Sequence, residues 1–353
     1  MRGRPPGQAP RRVRGRYRTA TLNELEETMG YLVGAYAIAP ASLEAEDALL
    51  AGLAARADVR GLELPFTGAL HRSDERWLLA RLRPDWEHVV TLIPGTMGRL
   101  QADKAFGLAS ADEAGRQAAL AMARDARAAV ARLNEAAGRA AVIAVEVHSA
   151  PSRGPAGGVG SAEAFARSLA EIAAWDWFGA RIVVEHCDAH RPGHPQHKGF
   201  LSVDDELAAI ERANDRANDR ANASARRPIG VNINWGRSVL ETHDAGAAVA
   251  HVEAACRAGA LSGLMFSGAS GADTPWGVWQ DTHMPQAPAA GLQHGAEGSL
   301  MTEAEIARTL AAARGAALDF VGAKIAIRPP EAGVEARLGL VGDLLAMLAR
   351  AGA

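Results

Sequence analysis

The chain has 353 residues, 48% of them hydrophobic and 22% charged, with a formal net charge of −3. That is globular material, long enough for one large core or two modest ones, and it sets up no overall basic field for nucleic acid. Two cysteines, Cys187 and Cys256, make neither a disulfide framework nor a metal-finger spacing, and no apolar run reaches the ~18 residues of a membrane span. The expectation is therefore a cytoplasmic chain in a reducing compartment, with no membrane and no nucleic acid as partners.

Residues 1–28 differ from the rest. Seven arginines fall within the first 18 residues, among prolines and glycines and little apolar content. That composition predicts a disordered basic N-terminal extension. Arg11-Arg12 is followed by no apolar stretch, which argues against an export signal. Met29-Gly30 stands directly before the first strand, so the globular part is expected over residues 29–353, and a chain begun at Met29 is expected to fold unaided.

From Tyr31 onward, strand-like and helix-like segments alternate. The first strand is expected over Leu32–Ile38, with a helix from about Ser42, where Glu44 and Glu46 suit a helix start. The second strand, Val59–Leu64, stops at Pro65, and Ser73 is the expected cap of the next helix. The third, His88–Ile93, stops at Pro94-Gly95, and an alanine-rich helix follows over Ser110–Ala137. A fourth strand covers Ala141–Val147, and Ser161 caps a helix to about Trp175. The fifth begins at Arg181, with a helix from about Ser202. Arg212 to Asn222 reads RANDRANDRAN, a repeat expected to form a solvated helix extension or loop. Strand six is Ile229–Asn234, with a helix over Asp244–Ala258, and strand seven is Gly263–Phe266. The long connection Ser267–Leu300, rich in Gly, Pro and Trp, has the length of a lid. Thr302 and Glu305 make a capping box for the next helix. Strand eight is expected at Ala323–Ile327 before Pro329-Pro330, and a last helix at Val334–Arg350. Eight strand–helix units in alternation predict a single-domain (β/α)8 TIM barrel. No G-x-G-x-x-G follows the first strand, so no nucleotide cofactor is expected.

Arg181-Ile182-Val183-Val184-Glu185-His186-Cys187-Asp188 is the stretch of most chemical interest. It is an apolar run that ends in acid, base, thiol and acid, and four of the chain's eleven histidines lie in the twelve residues from His186 to His197. A carboxylate at the C-terminal end of a buried strand is costly unless paired, liganded or used. Barrels build their sites at that end. Glu185 is accordingly the first candidate. Other strand ends contribute Glu63, Glu146, His148, Asn232, Asn234 and Arg237, then Lys324 and Arg328, while the long connection adds Trp279, Asp281 and His283. A buried structural pair of Glu146 with Lys324 is the plain alternative reading of those two. Lysine is scarce: only Lys104, Lys198 and Lys324 among 38 lysines and arginines. We read that bias as genome composition.

Gly61-Leu62-Glu63-Leu64, Val147-His148-Ser149-Ala150-Pro151 and Val183-Val184-Glu185-His186 together resemble the xylose-isomerase-like barrels, the sugar-phosphate isomerase and epimerase superfamily. Val33-Gly34-Ala35-Tyr36 is similar to the start of an uncharacterised bacterial subgroup of them. The resemblance implies a carbohydrate isomerase or epimerase acting by proton transfer next to a carbonyl. Glu185 would be base or metal ligand and His148 the second acid–base group. Glu63, Glu146, Asn232, Asn234, Arg237 and Trp279 would bind substrate. It also implies a divalent ion (Mn, Mg, Co or Zn) at Glu185. The family's other ligand positions fall here on Asn234, Ser267 and Arg328, so Asp281 and His283 from the long connection, or His186 or His243, are the candidate replacement ligands. If no ion binds, Arg237, Arg328 or Lys324 must hold the developing oxyanion. A glycoside hydrolase or a non-catalytic carbohydrate-binding barrel is the alternative, with Ser267 standing where related hydrolases carry a nucleophile. The expected partner is a small carbohydrate, with self-association open.

Overall fold

The computed structural model describes residues 30–154, 158–193, 197–218 and 227–352. Eight parallel strands close into one barrel in chain order. They are β1 (Tyr31–Val33), β2 (Val59–Pro65), β3 (Glu87–Thr91), β4 (Val142–Val147), β5 (Arg181–His186), β6 (Gly230–Asn234), β7 (Leu261–Phe266) and β8 (Phe320–Ala323). The helices are α1 (Leu43–Ala54), α2 (Glu75–Leu79), α3 (Ile93–Ala102), α4 (Glu113–Ala137), α5 (Ala162–Ile172), α6 (Val203–Asn218), α7 (Trp235–Thr242), α8 (Ala247–Arg257), α9 (Glu303–Ala312) and α10 (Val334–Gly352). This is the (β/α)8 barrel expected from the alternation. Among the described residues, no helix is long and apolar enough to cross a membrane.

Two separate cores hold it together. Leu32, Val89, Ile143, Val183, Met265 and Phe320 fill the barrel, and the larger cluster lies between the strands and the helices. Gly263 makes room for this filling: a Cβ there would stand 2.4 Å from the Phe320 ring. Because side chains alternate along a strand, each residue above this plug faces either the barrel mouth or the helices.

Several boundaries differ from expectation. β1 ends at Val33 and turns into a short 3-10 segment, Ala35–Ala37, instead of running to Ile38. Asp74, not Ser73, caps α2, accepting from the Trp77 amide at 3.1 Å. Pro94 does not merely stop the third strand; it lies in the first turn of α3, where a missing N–H costs nothing. β8 lies at Phe320–Ala323, earlier than the Ala323–Ile327 expected, so Lys324 is the first residue past its end. α7 starts directly off β6, with the Asn234 side chain as its cap. The connection Ser267–Leu300 holds neither helix nor strand; an isolated bridge joins its Gly268 to its Met284, and it is held to the barrel by bonds such as the Ala326 amide to the His283 carbonyl at 2.7 Å and the Trp276 indole N–H to the Ala326 carbonyl at 3.1 Å. The expected extension 1–28 and the RANDRAN repeat beyond Asn218 lie outside the described residues; the repeat up to Asn218 is the end of α6.

Candidate active site

Glu185 is the centre of the mouth. Its side chain is fully buried at the end of β5, above Val183. One carboxylate oxygen, Oε2, meets His148 Nε2 at 2.9 Å and Arg237 Nη1 at 2.6 Å. The other, Oε1, accepts from Asn234 Nδ2 at 3.1 Å and from Lys324 Nζ at 3.0 Å. Lys324 also donates to Glu63 Oε1 at 2.6 Å, and Asn232 Nδ2 donates to Glu146 Oε1 at 2.7 Å. Glu63, Glu146 and Glu185 are all fully buried, and each offers an oxygen within 4.8 Å of the others. The Oε2 atoms of Glu63 and Glu146 have no hydrogen-bond partner among the described residues.

The expected pairing of Lys324 with Glu146 is not what forms: the ammonium lies between Glu63 and Glu185. Gly34 is what admits it. A Cβ on Gly34 would stand 2.8 Å from Glu63 Oε2 and 2.9 Å from Lys324 Cγ. Tyr36 closes the same side, its ring centre 5.9 Å from Lys324 Nζ and its hydroxyl buried and unpartnered.

The charges of the carboxyls separate sharply. Burial pushes Glu185 up, but Arg237, Lys324 and His148 outweigh it and hold its carboxyl well below the usual range. Glu146 forms no ion pair among the described residues, and burial followed by the charges of Glu185 and Glu63 raises it well above that range, with Lys324 and Arg237 opposing. Burial also raises Glu63, with Lys324 opposing. Burial takes His148 down to about 4 in spite of Glu185. The surroundings therefore favour the charged form at Glu185, Lys324 and Arg237 and the neutral form at Glu146 and His148. Carboxyls driven apart in this way mark acid and base roles.

The long connection reaches into the mouth. Asp281 forms an ion pair with Lys198 and a second with Arg237 Nε at 3.2 Å. Burial would raise Asp281, but Lys198, Arg237 and His283 hold it well below the carboxylate range. His283 Nδ1 lies 3.1 Å from Ser267 Oγ and 3.6 Å from Asp281 Oδ1. Trp279 is half-buried and stacks on His243, rings 4.1 Å apart and 3° from parallel, so one of its faces is taken. Arg328 is exposed, and among the described residues its guanidinium bonds the Ile327 carbonyl and none of the mouth side chains. Lys198 and Tyr36 lie at the mouth and were not among the candidate site residues read from the sequence. The scarcity of lysine was a usable signal, since two of the three lysines meet here.

The residues present do not fit a divalent ion at Glu185. Ammonium and guanidinium groups already lie against both of its oxygens. Asn234 uses its carbonyl oxygen as the α7 cap and turns its NH2 towards Glu185, so it donates where a ligand must accept. Asp281 and His283 do come together, but Arg237 stands between Asp281 and Glu185, bonded to both. The expected Glu185–Asp281–His283 set is not among the groups of three that converge among the described residues.

The site is thus a polar cluster on the C-terminal ends of a closed eight-stranded barrel. The chain belongs to the family described as Domain of unknown function (DUF4862), whose profile matches residues 32–340. An uncharacterized protein of Salmonella typhimurium is 36% identical over 331 residues, 93% of this chain and 99% of the relative. Among solved structures, L-ribulose 3-epimerase has a TM-score of 0.55 at 13% identity, covering 92% of this chain and 96% of that one. D-allulose 3-epimerase from Methylomonas sp. scores 0.54 at 14% identity, covering 92% and 98%. The IOLI protein with a bound zinc atom scores 0.53 at 12% identity, covering 91% and 99%. Identities this low establish the shared fold.

Proposed function

We propose that this chain isomerises or epimerises a small sugar or sugar derivative by moving a proton at the carbon beside a carbonyl, with Lys324 and Arg237 supplying the positive charge. The observation that carries this reading is the set of partners on Glu185: a buried carboxylate held between Lys324 and Arg237, with the Glu146 carboxyl close by and free of either cation's ion pair. Such a reaction needs a base, an acid, and a fixed positive field where the enediolate oxygen forms. Glu185 takes the proton. In the resting site it is a weak base because Lys324 and Arg237 lie on it. When a substrate carbonyl oxygen draws those cations towards itself, Glu185 loses what depresses it and its basicity rises as the oxyanion develops. Glu146 holds the proton to be returned. Neutral His148, through its Nε2–H, orients Glu185, while Glu63 and Asn232 position Lys324 and Glu146 and meet substrate hydroxyls. Asp281 bridging Lys198 and Arg237 closes the mouth, so the 267–300 connection acts as a lid that swings away on substrate entry.

A glycosidase reading fares less well. Its two carboxyls stand roughly 5–10 Å apart with the sugar between them, whereas Glu63, Glu146 and Glu185 bring oxygens within 4.8 Å of one another around an ammonium.

The test is proton exchange. A panel of free and phosphorylated ketoses and aldoses is incubated with the protein in D2O and read by proton NMR for loss of the signal beside the carbonyl. One member of the panel is expected to exchange, and Glu185→Gln is expected to slow it by about 10² or more. Exchange unaltered in Glu185→Gln would refute the assignment.

A further inference from the structure

The neighbours of the catalytic side chains face the other way, into a second buried cluster behind the barrel wall. His186 follows Glu185 on β5 and points outward. Its Nδ1 lies 2.8 Å from Glu206 Oε2 on α6, and its Nε2 lies 3.1 Å from Glu241 Oε2 on α7. His251 on α8 sets its Nδ1 3.0 Å from Ser238 Oγ and its Nε2 3.9 Å from Glu241 Oε1, outside hydrogen-bond reach. The two imidazoles meet edge to face, 4.8 Å between centres. Glu206 also accepts from Ser149, and Glu241 from the Ala189 amide at 3.0 Å. His186 is fully buried, and Glu241 and His251 are each 8% exposed.

We propose that His186, Glu241 and His251 bind a divalent transition metal, zinc foremost, on the outer face of the barrel wall. Three features point to it. One ligand atom from each of the three lies within 4.8 Å of the others, and two imidazoles with a carboxylate are a donor set zinc favours. Both rings are anchored through Nδ1, His186 by a carboxylate and His251 by a hydroxyl, which turns both Nε2 atoms on Glu241; metal-binding histidines are oriented by such partners. Finally, Glu206 and Glu241 flank His186 from both sides, so an ion that displaces the proton on its Nε2 would take over the neutralisation of these buried carboxylates. His251 and Glu241, each 8% exposed, are the members of the group nearest to solvent. The ion would pin the end of β5 to α7 and α8, and so fix the backbone that carries Glu185 and Arg237. This site shares no residue with the proposed catalytic group, and it stands or falls independently of that reading.

The test uses the full chain, stripped with a chelator and titrated with zinc chloride in a calorimeter. One zinc per chain is expected, with a melting temperature about 5 °C higher at a hundredfold excess over the dissociation constant. Cobalt(II) in place of zinc is expected to give the visible absorption of a tetrahedral nitrogen–oxygen site. His251→Gln is expected to weaken binding about 100-fold, and Ser238→Ala, which removes only the Nδ1 anchor, about 10-fold. Glu146→Gln, in the barrel mouth, is expected to leave zinc affinity unchanged. Ser238→Ala keeps the question answerable if His251→Gln does not fold. Absence of zinc uptake, or uptake weakened by Glu146→Gln but not by the Ser238 and His251 variants, would overturn the proposal and leave His186 as a histidine ion-paired to two glutamates.

Discussion

Lys324→Met removes the ammonium at the centre of the mouth while keeping an unbranched side chain of similar length. Its cost falls unevenly on the two carboxylates it serves. Glu185 retains His148, Arg237 and Asn234. Glu63 retains no cation, and its Oε2 is already without a partner. Orphaning one buried charge costs about 3–5 kcal/mol, which at roughly 2 °C per kcal/mol lowers the melting temperature by about 6–10 °C. The loss depends on pH. Without Lys324 the folded-state pKa of Glu63, already raised by burial, moves further above its unfolded value. A carboxyl raised in this way takes up a proton and costs little below about pH 4.5, and its penalty grows as pH rises through the folded value. Melting curves from pH 5 to 8 are therefore expected to fall for the variant relative to the unaltered chain. The double variant Glu63→Gln/Lys324→Met, with both partners gone, is expected to recover most of the stability. A single variant that melts like the unaltered chain throughout that range would refute the ion pair and the catalytic assignment of Lys324 with it.

Gly34→Ala places a methyl 2.8 Å from Glu63 Oε2, so it is expected to cut catalysed proton exchange at least tenfold while the circular dichroism spectrum of the barrel is kept. Asp281→Asn loosens the tie to Lys198 and Arg237; limited proteolysis is expected to cut within 267–300 faster than in the unaltered chain, with the barrel core intact. His88 and His148 are buried and held down by that burial to about 3 and about 4. Both bind protons only when unfolded between pH 6.5 and 4, so the stability they contribute is present above 6.5 and lost on acidification, the two together adding about 2.7 kcal/mol per pH unit to the slope. Denaturant titrations at half-unit steps check this; because burial also holds His251 and His283 down to about 3, His88→Gln is expected to lower the total slope by about 1.4 kcal/mol per pH unit.

How much of this was legible in the sequence depends on what each residue had to reveal. Glu63, Glu146, Glu185, Asn232 and Asn234 are visible because a polar side chain inside a short apolar strand has few explanations, and strand parity alone sends them to one face. The same parity signal sends His186 outward, but its partners Glu206, Glu241 and His251 sit on three helices whose meeting no local pattern announces. Pro94 was misread because proline ends strands and begins helices equally well. β8 was misplaced because the apolar run from Phe320 to Ile327 is longer than the strand it contains. Lys198 lies in a loop, where position is set by its distant partner Asp281 and not by periodicity.

A side chain is a cation that cannot leave. At Glu185 the positive charge is synthesised with the polypeptide, one per chain, so the mouth requires no loading step and faces no contest among the ions whose affinities rise along the first transition row. An ammonium also differs from an ion in how it selects. It carries a single charge and three N–H directions, and two of these are already committed to Glu63 and Glu185. One direction is left for an incoming oxygen, so under the proposed reaction the geometry of that last bond, with Arg237 beside it, would decide which substrate oxygen is polarised.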